Sequence, residues 1–203
     1  MVRRILSAVI IFLVSQNAFS QAPLPDAAVI VYESTLNGFL NAVGPLSGKG
    51  QFNTLGIKED YTWTLRNARI EISKDQASFL ADANVKAGLF SYSAPAMGAV
   101  EVKYFPDSNR IKIKVVQAVF EVYIKILGKK IHIANIDAAK FYRPEFEFAG
   151  PRPVQPSVNV TLPDGGTKTI YITPVSQNLK LEEQKIVVTS QLVFSDQPPP
   201  NSH

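Results

Sequence analysis

A mainly β (α+β) fold, a strongly curved antiparallel sheet of long bulged strands packed around one short N-terminal helix, is what the 203-residue sequence predicts. Three observations carry this. Only Leu36, Phe39, Leu40 and Val43 space their apolar side chains as a helix does, at i, i+3, i+4 and i+7. Nearly everything after Pro45 alternates with period two, the mark of strands that are wet on one face. Two of the longest alternating runs also change phase part-way, which is what a β-bulge produces.

The elements follow in chain order. Met1 to Ser20 has a basic start (Arg3, Arg4), an apolar run from Ile5 to Val14, and small residues at Ala18 and Ser20 before Gln21. That is the pattern of an export signal, and the run is too short to span about 30 Å of hydrocarbon. The expected organisation is a signal peptide at 1–20, a single mainly-β domain at 21–195 and a Pro-rich disordered tail at 196–203. With no cysteine in the chain, the expected setting is a bacterial periplasm or secretion as a soluble protein.

Ala28 to Tyr32 reads as a short strand, and Ser34 or Thr35 can cap the helix, which Gly44-Pro45 stops. In the run Tyr61 to Ser73, Tyr61, Trp63 and Leu65 share one parity and Ala68, Ile70 and Ile72 the other. The cleanest alternation puts Ala77, Phe79, Ala81, Ala83, Val85, Ala87 and Leu89 on one face, with Gln76, Ser78, Asp82, Asn84 and Lys86 opposite. Val100, Val102 and Tyr104 continue the pattern up to a turn at Pro106–Asn109. A long strand, Arg110 to Leu127, buries Ile111, Ile113 and Val115, then slips so that Ala118, Phe120, Val122, Ile124 and Ile126 face inward. Two long strands that both change phase imply a sheet bent sharply around something. Strands at Ile131–Ile136 and Phe141–Phe148 follow, then a hairpin around Pro163-Asp164-Gly165-Gly166 and a last strand from about Leu179 to Phe194.

Composition excludes more than it includes. Without Arg3 and Arg4, 19 cationic residues stand against 17 carboxylates, a net charge of +2. A nucleic-acid binder carries a larger and more clustered excess, so no nucleic acid is expected. The absence of cysteine removes disulfides, thiolate metal sites, a cysteine nucleophile and a lipid-anchor Cys. His132 and His203 are the only histidines, and neither has a second ligand at metal spacing. No phosphate loop, nucleophile elbow or zinc motif occurs. No catalytic residue, metal or cofactor is therefore expected, and the protein is read as not an enzyme. Glu145 and Glu147 share a strand face with Phe146 and Phe148 on the other, a solvated edge rather than an acid/base pair.

Arg110, Lys112 and Lys114, with Lys125, Lys129 and Lys130 nearby, have two readings. Edge lysines keep a long strand from pairing with neighbours. Alternatively, a shared basic face attracts an anionic membrane surface. The inward alanines are sharper. Small residues let a helix lie close on the sheet, or they leave an elongated apolar cavity for acyl chains. On the second reading the ligand-binding lining is Leu36, Phe39, Leu40 and Val43 from the helix, with Ala77, Phe79, Ala81, Ala83, Val85 and Ala87 from the sheet.

Three segments together are similar to a known family. A strand runs into a capped helix over Val29–Leu40, Leu65–Ile72 precedes a long alternating strand, and Lys185–Phe194 closes the chain. This arrangement resembles the bacterial tubular lipid-binding (TULIP-type) superfamily, relatives of the bactericidal/permeability-increasing proteins, over roughly 28–148 and 170–195. The resemblance implies a curved sheet wrapped around a helix, with lipid tails in the groove between them. Two features depart from that pattern: residues 138–175 read as strands, prolines and a hairpin where the family often has a second helix, and the anchor Cys of many bacterial members is missing. The alternative reading is a structural or protein-interaction module of the cell envelope with a packed core. Its contact surface would be Phe141 to Pro156, suited to docking an extended envelope protein partner.

Overall fold

A computed structural model describes residues 24–200 except 55–56, 127–128 and 154. The export signal expected at 1–20 and the end of the tail, 201–203, lie outside the described residues.

The chain enters through β1 (Ala27–Tyr32) and passes straight into α1 (Glu33–Val43). The helix begins one residue before the expected caps: Tyr32 occupies the cap position in an extended conformation, with no side-chain capping bond. Leu36 and Leu40 are buried, whereas Phe39 and Val43 are 49% and 38% exposed, so half of the apolar stripe enters the core. Gly44, at φ +75°, ends the helix and donates its N–H to Leu40 O at 3.3 Å.

The larger sheet has β2 (Leu46–Thr54), β3 (Ile57–Ser73), β4 (Gln76–Ala87), β5 (Phe90–Phe105), β6 (Arg110–Val115) and β9 (Glu145–Ala149) in that spatial order. β7 (Val119–Ile126) joins it by pairing with β5 and with β8 (Lys129–Asp137). Every pairing is antiparallel. Both expected phase changes are bulges, and the second breaks the expected single strand Arg110–Leu127 into β6 and β7, with 116–118 outside either strand. On β3 the register against β4 shifts between Arg66 and Arg69, with Asn67 at φ +53°. Between β6 and β7, Val116 and Gln117 both donate to Ala99 O, at 2.9 and 3.4 Å. The bulge presses so close on β5 that a Cβ on Gly98 would collide with the Gln117 carbonyl oxygen.

The bulges curl the sheet far enough to bring distant strands together. Trp63 of β3 meets Phe120 of β7 with ring centroids 5.5 Å apart. Phe39 of α1 meets Phe146 of β9 edge-on at 5.0 Å, while the body of the helix lies on β3. One helix thus touches strands at both flanks of the curl. The buried cluster runs continuously from Leu36 and Leu40 through the inner faces of β3, β4, β6 and β7 to Ile186 and Val188.

A smaller sheet, ordered β1, β12 (Lys185–Ser195), β11 (Thr167–Glu182) and β10 (Ser157–Thr161), completes the fold. A ring of three hydrogen bonds joins the two sheets. Glu33 N donates to Gln184 O (2.9 Å), Gln184 N donates to Ile72 O (2.9 Å), and Ile72 N donates to the Glu33 carboxylate (2.7 Å). Beside it, the Asn37 amide donates to Ile70 O and accepts from Ile70 N. β2 has already ended opposite Leu65, so Asn37 and Glu33 serve backbone groups that would otherwise face the unpaired edge of β3.

Four expectations change. Leu89 does not join the buried face of β4: the strand stops at Ala87, Gly88 turns at φ +56°, and Leu89 is fully exposed. Phe141–Phe148 is not one strand, because Asp137 caps a short 3-10 turn, Ala138–Lys140, by accepting from Ala139 N, and β9 starts only at Glu145. Leu179–Glu182 belongs to β11, and the chain reverses at Gln184, φ +62°, where no glycine or asparagine marks the turn. Lys112 and Lys114 guard no edge, since β6 lies between β5 and β9. One strand escaped the sequence reading: β2 carries Gly48 and Gly50 where alternation calls for apolar residues. A Cβ on Gly48 would strike the ring of Trp63, its neighbour across the pair.

Candidate functional site

A largely apolar cavity of about 230 Å³ opens where the C-terminal end of α1 leaves the sheet. Leu40, Val43 and Gly44 form one wall, Leu46 and Ser47 the rim, and Trp63, Leu65 and Phe79 the sheet side. Val115 and Ala118 line it from the β6–β7 bulge, and Ala138, Phe141, Tyr142 and Pro144 come from the segment before β9. The two bulges make the space. Ala68 and Ala118 are the first inward residues after each phase change, both line the cavity, and both are small. Asp137 secures that wall, its carboxylate accepting from Ala118 N at 2.9 Å and from Ala139 N at 3.1 Å. No lining residue carries a charge. Ser47 is engaged with Thr64 through their hydroxyls at 2.8 Å, and Trp63 and Tyr142 are the other lining side chains that carry a polar atom. Phe141 is 64% exposed at the mouth, with its ring 5.6 Å from that of Trp63.

Of the ten residues expected to line a ligand site, Leu40, Val43 and Phe79 border this cavity. Leu36 is buried beneath the helix, and Phe39 points instead to Phe146. Ala77, Ala81, Ala83, Val85 and Ala87 are buried on the inner face of β4, outside the cavity lining. Ala81 and Ala83 pair with Ala96 and Ala94 of β5. Small side chains on these two strands let the sheet close tightly enough for Trp63 to reach Phe120. Trp63, Leu65, Ala68, Ala118, Ala138, Phe141 and Tyr142 were not anticipated. The signal that could have found Ala68 and Ala118 is the phase change itself, because strands diverge where a bulge interrupts pairing.

The ionisable groups form surface lattices. Lys112 pairs with Glu147 at 2.6 Å and Lys114 with Glu145 at 2.9 Å, on the outer face of β6 and β9. Hydrogen bonding to Lys114 lowers the Glu145 pKa, and Glu147 raises that of Lys112. Glu121 is held low by Lys130, which bonds it directly, and by His132 at 3.1 Å. Burial raises the pKa of Tyr61, Tyr92 and Tyr104. Tyr92 lies 4.0 Å from the Tyr123 ring and accepts from Tyr123 N at 2.7 Å, bridging the gap where β5 and β7 part. Among the described residues no cluster of His, Asp or Glu could hold a metal ion, and no helix is long and apolar enough to cross a membrane. Comparison with family models, curated proteins and solved structures finds no match.

Proposed function

We propose that this protein is an exported carrier of a lipid or another elongated apolar ligand, held at the cavity beside the end of α1. The observation that supports this is an uncharged, largely apolar cavity between a helix and a curved sheet. Its volume of about 230 Å³ is below the 300–1,000 Å³ common for drug-sized ligands. It suits the end of one chain or a single ring, with the rest of the ligand lying outward past Val43 and Phe141. Affinity would come from burying methylene groups, roughly 0.8 kcal/mol each, with no covalent chemistry. The resemblance to tubular lipid-binding proteins points to the same ligand class. Of Arg110, Lys112 and Lys114, the two lysines already face carboxylates, so an anionic membrane would compete with those pairs for them.

Native mass spectrometry of the purified protein, followed by solvent extraction, tests the proposal. A stoichiometric lipid or an equivalent apolar molecule is the expected finding. Val43→Trp should plug the rim from the exposed side of the helix. Displacing about two methylenes, about 1.6 kcal/mol, lowers affinity roughly tenfold or more. Unchanged uptake by a folded variant counts against this site. The second reading, an envelope interaction module, is favoured by exposed Phe141 and by β9 ending the larger sheet. Phe146 and Phe148 turn toward the core, so docking there would rely on Phe141, Tyr142 and the proline segment.

A further inference from the structure

Among the described residues β10 is paired on one side only, with β11. Ile172 N donates to Pro156 O and Leu162 N to Gly166 O, each at 2.8 Å. With Val158 opposite Ile170 and Val160 opposite Lys168, these bonds fix the phase of the ladder. Antiparallel pairs alternate between bonded and unbonded. Residues 156, 158, 160 and 162 therefore bond inward, and Ser157, Asn159 and Thr161 turn their N–H and C=O groups to the open side.

Exposed edges are usually protected by lysine, proline or a bulge within the strand. Ser157–Thr161 contains none of these: it is Ser-Val-Asn-Val-Thr, in register with β11 throughout. Lys168, the cation nearest in register, is held by Asp196 at 3.0 Å. The five residues are also symmetric in chemistry about Asn159, hydroxyl, valine, amide, valine, hydroxyl. Val158 and Val160 are each 43% exposed. They share a face with Ile170, Ile172 and Phe194, the last 61% exposed.

We propose that β10 is a homodimer interface, formed by antiparallel pairing with β10 of a second copy about a two-fold axis at Asn159. The phase permits it, since Asn159 is an outward residue and can both donate to and accept from its own counterpart. Ser157 then meets Thr161 of the other copy, with the same reciprocal bonds, and Val158 meets Val160. Self-complementarity is what an isologous contact demands, and it is the reason a second copy fits better than an unrelated segment. The pairing joins two four-stranded sheets into one of eight and carries the row of Val158, Ile170, Ile172 and Phe194 across the axis. This inference does not depend on the ligand site.

Sedimentation equilibrium over a dilution series tests it. The purified protein should show a concentration-dependent mass rising to two chains, and Asn159→Lys, which places two cations on the axis, should stay at one. Asn159→Pro removes the central outward N–H, leaves the backbone bonds to β11 in place, gives up the bond that the Asn159 side chain accepts from the Thr169 hydroxyl, and should do the same. Circular dichroism keeps the test fair if the proline variant misfolds, since the lysine substitution is on an exposed side chain. A wild-type monomer at every concentration overturns the proposal. So does a dimer that both folded variants retain, or a ladder of species larger than two.

Discussion

At the scale of single residues, Asn37 shows how one side chain can stand in for a missing strand. Its amide satisfies both the N–H and the C=O of Ile70, at 2.7 and 2.9 Å. Asn37→Ala leaves both groups without their partner beside the buried Leu36 and Ile70. Net hydrogen bonds contribute about 1 kcal/mol each and an unsatisfied buried group costs about 1–3 kcal/mol. A loss of about 2–3 kcal/mol in urea unfolding is expected, with Asn37→Asp recovering only part of it. Nothing in the local pattern marks Asn37, because its role depends on a strand edge 33 residues further on. Asp137 is similar: no motif in the chain singles it out, and its carboxylate fixes the bulge that borders the cavity.

At the scale of elements, β5, β6 and β9 carry an ion lattice on their outer face. Glu101 stands opposite Lys114, which stands opposite Glu145, and Lys103 opposite Lys112, which stands opposite Glu147. These groups are exposed and each pair contributes little by itself. Their effect should show in the acid limb of stability. Lys114 lowers the Glu145 pKa in the fold, so its contribution is present above the ordinary carboxylate range and is lost as the pH falls through the lowered value. Glu121, lowered by Lys130 and then His132, acts in the same window. Melting temperature should therefore hold steady from neutral pH toward the carboxylate range and drop below it, and Glu145→Gln should make the drop shallower. Strands and bulges were legible at this scale because burial on one face imposes period two, and an inserted residue shifts that period visibly. β2 was not, since Gly48 and Gly50 make room for aromatic rings of β3, a contact that no local pattern encodes. The reversal at Gln184 was hidden for a related reason. The ring of bonds with Glu33 and Ile72 holds it, in place of a glycine or asparagine.

At the scale of the molecule, the same ring of bonds and a continuous buried cluster make two sheets into one unit. Ile186 and Val188 of the smaller sheet share the core with Leu36 and Trp63. Trp63 is the single tryptophan and lies in the larger sheet, so its fluorescence follows that sheet while far-ultraviolet dichroism follows all strands. The two probes should give coincident urea transitions. A separate, earlier transition in dichroism would show the smaller sheet unfolding by itself. The sequence alone determined a mainly β chain with one helix, its bulged strands and a strongly curved sheet, because each follows from the period of apolar residues along a few neighbouring positions. Tertiary structure decided which inward residues border open space and which are sealed. Ala68 and Ala118 face the cavity while Ala81 and Ala83 do not, although all four look alike in the chain. The difference is where two bulged strands part and where two alanine-rich strands close, and that is settled only when residues far apart in sequence meet.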